Sequence, residues 1–77
     1  MELRENLVKA ATLHAEAEIE LHRVNIEVYM QKVVGIGEHS DIVETIQKEL
    51  DAMAASHDRL EMLNKYFNAW QKPKYNV

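Results

Sequence analysis

The residues that most readily break a helix are confined to two places: Gly35 and Gly37 lie together near the middle of the chain, and the single proline is Pro73. From Leu3 to Val34, and again from Asp41 to Trp70, nothing interrupts runs rich in Ala, Leu, Glu and Lys, which favour helix by propensity. The spacing predicts a helical hairpin over 1–70, with helix 1 at about 3–34, a loop at 35–39, helix 2 at about 41–70, and a flexible tail at 71–77. Gly35 suits the left-handed residue that closes a helix. Ser40 or Asp41 can cap the second helix, and Asp41 and Glu44 set carboxylates at the positive end of its dipole.

Steps of four and three along helix 1 select Leu3, Leu7, Ala10, His14, Ala17, Leu21, Val24 and Val28, an apolar seam with one polar member. In helix 2 the same steps select Ile46, Leu50, Met53, His57, Leu60, Asn64 and Phe67. Folding about Gly37 places residue i opposite roughly 74 − i, so Val28 meets Ile46, Val24 meets Leu50, and Leu21 meets Met53. On this reading His14 and His57 are polar seam residues that fix the register. Helix 1 carries a second apolar set, Ile19, Ile26, Met30 and Val33, about 140° round its axis. One neighbour cannot cover both sets, and a chain this short buries little of its surface alone. The expected fold is therefore all-α, an antiparallel two-helix hairpin that assembles into a homo-oligomeric helical bundle through Ile19, Ile26, Met30 and Val33.

Composition narrows the role. The 77 residues contain no cysteine, which excludes a disulfide framework, a thiol nucleophile and a cysteine-based zinc site. The first residues, Met1 to Leu7, lack the basic start and apolar run of a signal peptide, and no stretch is long and apolar enough to span a bilayer. A reducing compartment and no membrane partner are expected. The formal net charge is −4, but no acid follows Glu61, while Lys65, Lys72 and Lys74 sit among Tyr66, Phe67, Trp70 and Tyr75. That aromatic, basic end suits docking on a protein partner, or closing the open end of the bundle near Leu3 and Leu7. An acidic body repels phosphate, so nucleic acid is an unlikely partner.

Four histidines raise the question of metal. His14, Glu18 and His22 are spaced i, i+4, i+8, yet the outer pair is about 12 Å apart along the axis and cannot hold one ion. A site would need His14 and Glu18 with His57 from the other helix or another protomer. The Glu-x-x-His pattern of di-iron bundles is absent, because Ala11, Ile19, Ile36 and Ala54 precede the four histidines. His57-Asp58 has the letters of a phosphohydrolase dyad, but neighbours on a helix diverge by about 100°. A magnesium-dependent helical hydrolase would have to gather Glu16, Glu20 and Asp41 or Glu44, which read as solvated surface charges. The Gly35-Ile36-Gly37 turn lacks the strand and lysine of a phosphate loop. It leaves Glu38 and His39 as a polar tip for recognition. No cofactor and no enzymatic activity are expected.

The strings Asn25-Ile26-Glu27-Val28-Tyr29, Val34-Gly35-Ile36-Gly37-Glu38-His39-Ser40-Asp41-Ile42 and His57-Asp58-Arg59-Leu60-Glu61-Met62-Leu63 resemble small helical proteins encoded by T4-like myoviruses, notably those infecting marine cyanobacteria. The likeness runs from about His22 to Phe67. It implies a viral origin, with a place in the host cytoplasm or the virion, and no particular chemistry. The expected role is protein contact, as a virion-associated, accessory or assembly protein. The contacting residues are Ile19, Ile26, Met30 and Val33, the tip Glu38 and His39, and the end Tyr66, Phe67 and Trp70. A metal-binding bundle or a small inhibitor of a host protein is the alternative.

Overall fold

The computed structural model describes residues 2–31 and 40–71. Two helices, α1 (Glu2–Gln31) and α2 (Ser40–Phe67), pack on each other, and the described residues contain no strand. Their contacts pair Lys9 with Trp70, Glu18 with Arg59 and Asn25 with Glu49, so the helices run antiparallel. The hairpin expected from the breaker-free runs is thus the fold. The loop at 35–39 with Glu38 and His39, as well as Val33 and residues 72–77, lies outside the described residues.

The end of α2 differs from expectation. The helix stops at Phe67 instead of continuing to Trp70, because Asn68 takes the left-handed conformation with φ of 55°. Asparagine tolerates that region better than other non-glycine residues, which makes it an effective helix terminator. The turn brings Trp70 back onto α1, where the Lys9 ammonium sits 4.9 Å from the ring centroid.

The larger difference is the face that α1 presents to α2. Val8, Thr12, Ala15, Ile19, His22, Ile26 and Tyr29 are buried or half-buried, again in steps of four and three. The seam expected from the sequence points outward: Leu3, Leu7, Leu21, Val24 and Val28 are all exposed, and so are Ala10, His14 and Ala17. Ile19 and Ile26, expected on an outer contact face, are inner residues, with Ile26 only 8% exposed. Met30, from the same set, is exposed. In α2 the seam is half right. Ile46, Met53 and Leu60 face inward, but Leu50, His57, Asn64 and Phe67 do not, and Glu49, Ser56 and Leu63 take the inner positions one residue earlier.

Shape and hydrogen bonding explain the choice. At mid-height the buried residues are small: Thr12 and Ala15 on α1 and Ser56 on α2 are each 2% exposed or less. Small side chains let the backbones approach closely. The two inward threonine and serine hydroxyls are satisfied, Thr12 Oγ1 donating to the Val8 carbonyl at 2.8 Å and Ser56 Oγ accepting from Arg59 Nη1 at 3.4 Å.

Nearer the loop the helices are joined by polar groups. The ionised Glu49 carboxylate can only accept, so His22 Nδ1 donates to its Oε2 at 2.6 Å, while Asn25 Nδ2 reaches both oxygens at 3.3 Å. This cluster, in place of His14 and His57, ties one helix to the other. Asn25 lies opposite Glu49, the partner that 74 − i gives, whereas His22–Glu49, Glu18–Arg59 and Lys9–Trp70 depart from it by three to five residues. The expected pairs Val28–Ile46, Val24–Leu50 and Leu21–Met53 are replaced because Leu21, Val24 and Val28 face solvent.

The hydrogen bond from His22 holds the Glu49 carboxyl below the ordinary carboxylate range, against the opposing pull of partial burial and with help from Asn25. A carboxyl depressed by folding contributes stability that is fully present above its unfolded value and is lost as the pH falls through the folded one. The melting midpoint, followed by circular dichroism, is expected to fall as the pH drops from about 5 to about 3. It should fall less steeply in Glu49→Gln. Parallel slopes for the two proteins would remove Glu49 from the account of acid sensitivity.

Candidate functional site

Rotating Ile19 and Ile26 inward leaves the greasier stripe of α1 in solvent. Leu3 and Leu7 are 61% and 62% exposed, and Leu21, Val24 and Val28 follow at 56%, 43% and 42%. Ala10 and Ala17 complete the line, and His14 is its one polar member. The stripe runs from Leu3 to Val28, 25 rises of 1.5 Å or about 37 Å. Charges gather on a different arc of the helix, where Glu20 and Arg23 pair through Arg23 Nε at 3.1 Å. Arg23 holds the Glu20 carboxyl low, and Glu20 raises the guanidinium in return.

His14 sits where the stripe meets α2. Its Nδ1 lies 3.1 Å from Glu18 Oε1, and the same oxygen accepts from Arg59 Nη1 at 3.5 Å, so a chain of polar groups crosses to the second helix. Beside it an open, mostly apolar groove of about 460 Å³ runs between Ala11 and His14 of α1 and Met62, Leu63 and Phe67 of α2. His14 belongs to both the exposed stripe and the lining of this groove.

The aromatic end divides. Tyr66 and Phe67 are exposed and meet edge to face, with ring centroids 6.5 Å apart at 63°, and Lys65 Nζ lies 5.3 Å from the Tyr66 centroid. Trp70 is half-buried and flanks a separate hollow with Thr12, Glu16, Leu60 and Asn64. Of the three expected contact residues, two are available to a partner and the third is used to hold the hairpin's open end. Leu3 and Leu7 stay uncovered there.

Within one chain the alternative metal set of His14, Glu18 and His57 is not brought together. His14 pairs with Glu18 on α1, whereas His57 Nδ1 lies 3.8 Å from Glu61 Oε1, one turn along α2. Among the described residues, the three that bring ligand atoms within 4.8 Å of one another are His57, Asp58 and Glu61. Side-chain reach offsets the 100° divergence of His57 and Asp58. All three are exposed, with no buried partner to orient them. Glu16, Glu20, Asp41 and Glu44 form no comparable group among the described residues.

Sequence reasoning missed His22, Asn25 and Glu49. The signal was present as His22 on the 8–12–15–19–22–26–29 line and Asn25 three residues on, beside it, with a carboxylate at the matching height on the other helix. No described helix is long and apolar enough to cross a membrane. Comparison with protein-family models, curated proteins and solved structures finds no match for this chain.

Proposed function

We propose that this chain is a non-enzymatic helical hairpin that self-associates and acts through protein–protein contacts. The observation that carries the reading is the exposed heptad stripe of α1, from Leu3 to Val28, with five large aliphatic side chains in solvent. Scattered surface leucines need no explanation, but a continuous line of them at coiled-coil spacing is the pattern that a second helix covers. The acidic body disfavours nucleic acid as the partner. The myoviral resemblance supports a role as a virion-associated, accessory or assembly protein, with exposed Tyr66 and Phe67 offering a second contact point for a virion or host protein. Sedimentation equilibrium at tens of micromolar tests the self-association. A mass that is a multiple of the 9.0 kDa chain is expected, and a mass of 9.0 kDa overturns the reading.

A further inference from the structure

The hairpin exposes 6307 Å². A compact monomer of 9.0 kDa exposes about 4,850 Å², so roughly 1,450 Å² of surface is in excess. A stable protein interface of standard size takes about 800 Å² from each partner. That surplus exceeds what one partner gives to such an interface, and among the described residues the α1 stripe is a long apolar line that could receive a second helix.

The stripe is complementary to itself in one direction. Resting on the self-association reading above, we infer that two copies pair antiparallel through α1, with residue i of one chain facing residue 31 − i of the other. In that register Leu3 faces the partner's Val28, and Leu7 faces the partner's Val24. The small Ala10 receives the partner's Leu21, and the small Ala17 receives the partner's His14. Every bulky side chain meets a smaller one, and the same contacts repeat about a two-fold axis at residues 15 and 16, as a closed dimer requires. A parallel pair in register would set Leu21 on Leu21 and His14 on His14, and would leave voids where Ala10 meets Ala10 and Ala17 meets Ala17. Antiparallel alignment also opposes the helix dipoles favourably.

The test uses the full chain at tens of micromolar, with helix content followed by circular dichroism. Leu21→Glu and Ala10→Lys are each expected to weaken the dimer by roughly 100-fold, because each sets an unpaired charge against an apolar side chain. Mixing the two variants is expected to restore a mass of twice 9.0 kDa, since residue 21 of one then meets residue 10 of the other. The chain has no cysteine of its own, so cross-linking gives an independent readout. Leu3→Cys is expected to join to Val28→Cys in a mixture and not to itself. A wild-type mass of 9.0 kDa overturns both this inference and the self-association reading. A wild-type dimer that survives Leu21→Glu, fails to recover on mixing, or cross-links Leu3→Cys to itself overturns the antiparallel α1 pairing alone.

Discussion

Ala15→Leu is expected to destabilise the hairpin by about 1–3 kcal/mol, the usual penalty for forcing extra methylenes into a packed contact. Ala15 is 2% exposed and lies at the mid-height of the α1–α2 seam, where Thr12 and Ser56 are equally enclosed. Leucine is nearly as good a helix former as alanine, so the change leaves local propensity almost untouched and reports on the packing. A chain of 77 residues has roughly 4–12 kcal/mol of stability in total, which makes the loss a large fraction. At about 4–8 °C per kcal/mol for a domain of this size, the midpoint should fall by roughly 4–24 °C. Ala55→Leu is the control. Ala55 is exposed on α2, and the same three-carbon extension there should stay within about 0.5 kcal/mol. Equal effects at the two positions would mean that the helices do not meet at Ala15.

The burial of Ala15 also marks the part of the fold that the sequence left open. Helix number and direction followed from the two breaker-free runs on either side of Gly35 and Gly37, because helix propensity is a local property of the backbone. The contact face did not. Both stripes of α1 have heptad spacing, and counting carbon atoms favours Leu3, Leu7, Leu21, Val24 and Val28 over a line that includes Thr12, His22 and the small Ala15. Periodicity identifies faces that can be covered without assigning the cover to them. The assignment goes with the burial of small residues, Ala15 and Ser56, and with the hydrogen bonds of His22 and Asn25 to Glu49, which join the two helices. The C-terminal end of α2 was misread for a related reason: Asn68 supplies a left-handed terminator that a search for glycine and proline overlooks.

Because the two stripes exchange roles, truncating one residue from each gives opposite results in two assays. Ile26→Ala is expected to cost about 2 kcal/mol or somewhat more, at the low end of the range for buried isoleucine because Ile26 keeps 8% exposure and only two helices surround it. Leu21→Ala removes a side chain that is 56% exposed, and in the isolated hairpin its cost should stay within about 0.5 kcal/mol. Dilution to concentrations at which the chain is monomeric isolates this intramolecular term, since any stabilisation by a second copy fades by mass action. At tens of micromolar the ranking changes in the association readout: Leu21→Ala should weaken self-association, while Ile26→Ala should lower the melting midpoint and leave the contact surface of α1 intact. Had the sequence-favoured face been the inner one, Leu21→Ala would be the damaging change at every concentration. Finding that order in dilute melts would place α2 against Leu21 and Val24, and would remove the exposed stripe on which self-association depends.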